Sequence, residues 1–255
     1  MTDLRKFNSI VLLGLKFTLD EQIRDLEGLS KMAKRADAGL EVHFLNSYNL
    51  FVADRDEAYK EIINNSNINF CDGKPFAIAS KFISKDKITQ VRGPSFFEDC
   101  LSKYGKSLSH FFVGGNIENS SLLLNKLTLN GVNIAGMESP PFRELTSAEL
   151  ASRDNTIRSA NPDVIWVGLG TPKQDFEVAR LAKKHNAVVV AVGAAFDFYA
   201  GSKKEAPWIV QRIGLEWLFR LLTEPRRLFK RYLLGNAHFI KRFFAAAISG
   251  RRGIH

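Results

Sequence analysis

Short runs of apolar residues alternate along this chain with longer stretches whose apolar positions recur every three or four residues. "SIVLLGLKF" (9–17), "LEVHFLN" (40–46), "INFC" (68–71), "HFFVGG" (110–115), "NPDVIWVGLG" (161–170) and "AVVVAVGAAFDF" (187–198) belong to the first kind. Runs this short and continuous predict buried strands, the first of them over 10–17. Within 19–38, Leu19, Ile23, Leu26, Leu29 and Met32 fall on one helical face. Helices are likewise predicted over "SYNLFVADRDEAYKEIINNS" (47–66), after the turn at Asp72 and Gly73, over 117–129 and over 172–185. Apolar strands alternating with helices imply a Rossmann-like α/β fold: a mostly parallel sheet with helices on both faces. Such sheets bind ligands beyond the carboxyl ends of their strands. That singles out Asn46 and Ser47, Asp72 and Gly73, Gly114 and Gly115, residues 168–174, and residues 193–197.

The last fifty residues differ. From Leu215 the apolar positions Leu218, Phe219 and Leu222 share a helical face. Pro225 ends or kinks that helix, and a second continues with Leu228, Phe229, Tyr232, Leu233, Phe239, Ile240, Phe243 and Phe244. The formal charge of the 255 residues is +9, and all of that excess lies in residues 203–255, which hold twelve Lys/Arg and three Glu. Residues 1–200 therefore read as a charge-balanced α/β domain and 201–255 as a basic amphipathic helical appendage. Three uses remain open for it. Its basic and aromatic faces suit the interface of an anionic bilayer, where each basic side chain contributes roughly 1 kcal/mol. Its arginines suit the diphosphate of a ligand. It is also readable as a solvated helix packed on the core by its apolar face. No nucleic-acid-binding module accompanies the charge.

No apolar run approaches the ~20 residues of a membrane span, and the N-terminal residues lack a signal-peptide pattern. Cys71 and Cys100 match no metal motif and no disulfide framework, which points to a reducing cytoplasm. The five histidines, 43, 110, 185, 238 and 255, make no pair at ligand spacing, so no metal site is expected.

"VGLGTPKQD" (167–175) is the most legible chemical candidate. Gly168 and Gly170 end a strand, Thr171 stands where an N-cap belongs, Pro172 takes the first helical position, and Gln174 completes a capping box. The free N–H groups of that helix suit an anion, although an ordinary well-capped helix would read the same way. A G-x-G-x-x-G fingerprint is absent because Lys173 interrupts it, which weakens the alternative of a dinucleotide-binding oxidoreductase. Asp72, just past a buried strand, is either a turn residue or a carboxylate able to take a proton from an attacking hydroxyl. Asp197 in "AAFDF" is its rival.

Three blocks go beyond generic α/β patterning: "DVIWVGLGTPKQDFEVAR", "VRGPSFF", and "VGAAFDFYAGSKKEAPWIVQRIGLEWLFRLLTEPRRLFKRYLLGN". With the earlier "DG" they resemble the WecG/TagA/CpsF family of bacterial glycosyltransferases from about Gly39 to Asn236. The resemblance implies an inverting enzyme at the cytoplasmic membrane face. It would move a sugar, often N-acetylmannosamine or its uronic acid, from UDP to a polyprenyl-diphosphate-linked sugar in surface polysaccharide synthesis, without a metal or other cofactor. It makes Asp72 the base, Asn46 a lining residue of the same pocket and Gln174 a neighbour of the nucleotide. Arg212, Arg220, Arg226, Arg227 and Arg231 fall in its arginine-rich appendage. Gly73, Arg92, Gly114, Gly115, Gly168, Gly170, Phe196 and Asp197 complete the substrate-binding candidates. Arg220, Arg226 and Arg227 are expected at the diphosphates, and Lys241, Arg242, Arg251 and Arg252 at the lipid surface. Departures are Phe44 where many members carry Thr, Gln90 where many carry Arg (Arg92 being displaced by two), and "DGKPF" for Asp-Gly-x-Gly. These touch the sugar pocket and leave the sugar open. The oligomeric state, a homo-oligomer included, is also open.

Overall fold

The computed structural model describes residues 7–19, 25–115 and 117–252. A hairpin of β1 (Ser9–Leu12) and β2 (Leu15–Thr18) precedes six strands: β3 (Leu40–Leu45), β4 (Ile68–Cys71), β5 (His110–Gly114), β6 (Ile134–Glu138), β7 (Val164–Gly168) and β8 (Val188–Ala191). These six form one parallel sheet in the order β4-β3-β8-β7-β5-β6. The intervening helices are α1 (Leu26–Ala36), α2 (Ser47–Ala53), α3 (Glu57–Asn65), α4 (Lys74–Ile83), α5 (Gly93–Tyr104), α6 (Ile117–Leu129), α7 (Ser147–Ala160), α8 (Lys173–Ala182) and α9 (Ala195–Ala200). Three more close the chain: α10 (Trp208–Ile213), α11 (Glu216–Thr223) and α12 (Pro225–Arg252).

Both faces of the sheet are covered, which is why its strands are apolar at consecutive positions. Val164 and Trp166 of β7 pack with α1, α5 and α9, whereas Ile165 and Val167 point the other way onto α7 and α8. The buried Trp166 indole is satisfied by Nδ1 of His110 at 3.1 Å. Burial lowers the His110 pKa, in keeping with a neutral ring that accepts this bond. A third apolar cluster joins the hairpin to α2, α3, α4 and α12.

Several expectations change. The predicted first strand over 10–17 is a tight hairpin, because Leu13 and Gly14 both take positive φ, 54° and 90°, the geometry of a two-residue turn. The helix predicted over 47–66 is broken at Asp54–Asp56, where the Asp56 side chain caps the Tyr59 N–H at 3.0 Å and starts α3 afresh. The helix over 19–38 is described from Leu26, and Leu19 precedes it; Ile23 lies outside the described residues. Phe196 and Asp197 lie in helix α9 rather than at a strand end. The sequence pattern did not reveal β6 or α7. Gly136 interrupts the short edge strand, and α7 is announced only by a capping box of Thr146 and Glu149.

The tail crosses the domain. Helix α12 lies on α2 and α4, and Gly235 permits the approach: a Cβ there would meet the Tyr48 backbone at 3.1 Å. Phe239 is buried in this contact, packing on Phe76 with ring centroids 4.9 Å apart. A second apolar stripe of α12 is exposed: Phe229, Leu233, Phe244 and Ile248 face outward, and Ile240, also exposed, borders the cavity described below. So are Leu215, Leu218 and Leu222 around α11, whose apolar face does not pack on the core. Among the described residues no helix is long and apolar enough to cross a membrane.

Candidate active site

The carboxyl ends of β3, β4, β7 and β8 open into a cavity of about 430 Å³, roofed by α11 and α12. At its β3 edge Asn46 is the N-cap of α2: its Oδ1 accepts the Tyr48 N–H at 3.0 Å, and Asn49 Oδ1 accepts the Asn46 N–H at 2.9 Å. At the β4 edge Asp72 is held on both sides. Its backbone N–H donates to Leu45 O at 2.9 Å, its backbone O accepts from Gln90 Nε2 at 3.0 Å, and its Oδ1 accepts the Gly93 N–H at 3.0 Å. Burial raises the Asp72 pKa; Arg220, the Gly93 N–H and Arg92 oppose this, and Glu216 adds to it. Next to it, burial and the Asp72 charge push the Cys71 thiol up to about 12, so that sulfur is no nucleophile at neutral pH.

The α8 edge is built differently from the expected capping box. The Thr171–Pro172 peptide is cis, the helix begins at Lys173, and no side chain caps it. Instead Gln174 folds back, its Oε1 accepting the Gly170 N–H at 3.1 Å with Nε2 3.5 Å from the Thr171 hydroxyl. The N-terminal ends of α4, α5 and α8 therefore all border the cavity, through Gly73 and Lys74, Gly93 and Pro94, and Gly170 to Gln174. Helix N-termini favour an anion there.

The roof supplies cations, most of them partnered. Arg220 pairs with Glu216 at 2.7 Å and stacks 4.7 Å from the Phe198 ring centroid. Arg227 pairs with Glu224 at 2.7 Å. Arg231 has no ion-pair partner among the described residues; its guanidinium lies 4.8 Å from the Tyr48 ring centroid, and burial lowers its pKa. Glu216 and Glu224 also line the cavity. Sequence reasoning missed their part, although their spacing to Arg220 and Arg227, i,i+4 and i,i+3, was available as a signal. Lys74, Tyr48, Trp217, Tyr232 and Phe198 are further lining residues not anticipated.

Of the residues singled out from the sequence, Asn46, Asp72, Gly73, Gly170, Gln174, Arg220, Arg227 and Arg231 meet on this one cavity. Phe44, Ser47, Gln90, Thr171 and Gly193 line it as well, and the remaining candidates stand apart. Arg92 is engaged by Glu216 at 2.8 Å, Gln211 at 2.7 Å and Ser95 at 2.8 Å, tying α5 to the tail. Gly114 and Gly168 serve a close approach of β5 to β7, since a Cβ on Gly114 would meet Gly168 O at 2.5 Å. Gly115 continues that contact, and Phe196 packs against Gly168 in the core. Asp197, the rival base, is held by Lys203 at 2.7 Å and Asn119 at 2.8 Å and does not line the cavity. Arg212 and Arg226 are exposed outside it, Arg212 over the Trp208 ring. Arg242, expected to face lipid, donates to Leu13 O at 2.9 Å, so it helps hold the hairpin. Lys241 is exposed; the side chains of Arg251 and Arg252 lie outside the described residues. Among the described residues no three His, Cys, Asp or Glu cluster as metal ligands would.

A parallel sheet with an anion-favouring cavity beyond its strand ends, closed by an arginine-bearing helical roof, defines a Rossmann-like α/β protein with a ligand site at its strand ends. Residues 11–253 match the sequence model of the Glycosyl transferase WecG/TagA/CpsF family, so the chain belongs to that family of glycosyltransferases of cell-surface polysaccharide synthesis.

Proposed function

We propose that the chain is an inverting glycosyltransferase that moves a sugar from UDP to a polyprenyl-diphosphate-linked acceptor. The sugar is N-acetylmannosamine-like or a related hexose or uronic acid. The observation that supports this best is the presence around one cavity of Asp72, the N-terminus of α8 and Arg231, which has no ion-pair partner among the described residues. In this reading the diphosphate of the donor lies toward α8 and the roof. The acceptor hydroxyl approaches Asp72, which takes its proton as the oxygen attacks the anomeric carbon and UDP departs from the opposite face. A carboxylate with a raised pKa is the better base for that step. Arg231, with Arg220 and Arg227 once they exchange their glutamates for phosphate, would compensate the charge on departing UDP, so the scheme requires no metal or other cofactor.

The exposed stripe of Phe229, Leu233, Phe244 and Ile248, flanked by Arg226, Lys230 and Lys241, supports a second part of the proposal. The enzyme is cytoplasmic and rests peripherally on the anionic inner membrane face, where its lipid-linked acceptor resides. Turnover of a panel of UDP-sugars with a lipid-diphosphate acceptor, alongside titration with UDP and NAD(H), tests the whole reading. Binding of NAD(H) in preference to UDP, without sugar transfer, would overturn it.

A further inference from the structure

Behind the cavity lies a hydrogen-bonded chain of polar side chains, none of which touches the cavity itself. Asn49, Tyr59, Asp175 and His43 are each fully buried. Asn49 accepts the Asn46 N–H at 2.9 Å through Oδ1 and donates from Nδ2 to the Tyr59 hydroxyl at 2.7 Å. The Tyr59 hydroxyl donates to Asp175 Oδ2 at 3.0 Å, and Asp175 Oδ1 lies 2.9 Å from His43 Nδ1. His43 Nε2 is 3.6 Å from Glu41 Oε2.

The donor directions are forced. The Asn49 amide nitrogen can only donate, so the single Tyr59 proton goes to Asp175, and the carboxylate accepts from both sides. His43 Nδ1 therefore carries a proton. Burial opposes a charge on this imidazole, but the hydrogen bond to Asp175 and the carboxylate charges of Asp175 and Glu41 outweigh it and raise the pKa to about 9. Burial and the Asp175 charge likewise raise the Tyr59 pKa well above its usual value, keeping the hydroxyl protonated as a donor.

The chain runs between two edges of the cavity. One end holds the backbone of Asn46, the N-cap of α2. The other is Asp175, the residue after Gln174 in the first turn of α8. Apolar residues of similar volume would hold four elements together at least as well, because a buried ion pair gains little over them. A polar chain with one allowed direction adds a defined distance between its ends.

We infer that His43, Asp175, Tyr59 and Asn49 are positioning residues that set the separation of Asn46 and Gln174 across the donor site. The inference rests on reading the cavity as the site of the sugar nucleotide. Tyr59→Phe removes one hydroxyl, cuts the chain at its middle, and keeps the ring that packs 5.9 Å from Phe176. Two measurements on the full chain, well below its melting temperature, decide the matter. The first is UDP affinity by calorimetry together with donor and acceptor kinetics. The second is hydrogen exchange of the Asn46 and Gly170 amides.

The expected result for Tyr59→Phe is about tenfold weaker UDP binding and donor kcat/KM, with acceptor KM unchanged. Faster exchange at Asn46 and Gly170 but not in β5 accompanies it. A network serving stability alone would lower the melting temperature and leave these values as in the wild type, which overturns the inference. If the wild type itself binds no UDP, the proposed function falls, and the exchange measurement still decides whether the chain positions the two edges. Should Tyr59→Phe fail to fold, Asn49→Ser cuts the same chain beside Asn46.

Discussion

The backbone N–H of Gly93 reaches Oδ1 of Asp72 at 3.0 Å, and no hydrogen bond engages Oδ2 among the described residues. One oxygen fixes the rotamer and the other is available to a substrate hydroxyl. Asp72→Asn keeps the shape and an oxygen acceptor for Gly93 but removes the proposed base. Transfer is expected to fall about 10³-fold with donor affinity within a factor of two or so. Near-full transfer in this variant, measured with a UDP-sugar and a lipid-diphosphate acceptor, would remove Asp72 from its role.

The same residue predicts a pH profile. Its folded pKa is raised by burial, and the base form is the ionised one. Activity should therefore be present at high pH and fall, as pH is lowered, through a value above the ordinary carboxylate range. A plot of log kcat/KM against pH locates that limb, which Asp72→Asn should abolish.

Arg231 and Arg226 are both tail arginines, yet only Arg231 lines the cavity. Replacing Arg231 by Gln is expected to lower kcat/KM about 10²-fold, as removal of a preorganised charge at a leaving group does. Arg226→Gln should change turnover of a water-soluble acceptor little. Equal effects in steady-state assays would contradict the assignment.

Phe229, Leu233, Phe244 and Ile248 share the outward stripe of α12. Changing all four to Ser should abolish flotation with vesicles containing anionic lipid, while a soluble acceptor analogue is still glycosylated. Retained flotation would remove the stripe from the membrane contact.

His43 ties stability to pH. Its folded pKa of about 9 lies above the ordinary histidine value of about 6.5, so the charged form is favoured by folding. That contribution, roughly 3 kcal/mol at most, is fully present below the unfolded value and is lost as pH rises through about 9. Urea midpoints from pH 6 to 10, compared between wild type and His43→Gln, should converge at the alkaline end.

Arg153 shows a different use of buried charge. Its guanidinium, held by Glu138 at 2.8 Å and Glu177 at 2.9 Å, joins β6, α7 and α8 far from the cavity. Truncation to Ala strands the Glu138 carboxylate, whereas Glu177 keeps Arg180 at 2.8 Å; it should cost about 2 kcal/mol of unfolding free energy without altering UDP affinity.

Much of the fold was readable because parallel strands covered on both faces need consecutive apolar residues, as in "VIWV" and "VVVA". β6 escaped because an edge strand with Gly136 at its centre has neither alternation nor a continuous apolar run. At the site, Asp72, Asn46 and Gln174 stood out as polar residues at strand ends. Gly114, Gly168 and Phe196 stood at the same kind of place but serve packing, since local pattern does not separate a glycine facing a ligand from one facing another strand.

The amino-acid order alone specified the parallel α/β class, the charge-neutral body and basic tail, and the family motifs, since periodicity, charge and short motifs are local properties of the chain. Which arginines face the cavity, which are already paired, and which apolar stripe of α12 stays outside were decided only by the tertiary structure. Those outcomes depend on how α12 crosses α2 at Gly235, a contact between residues almost 190 positions apart that no local pattern records.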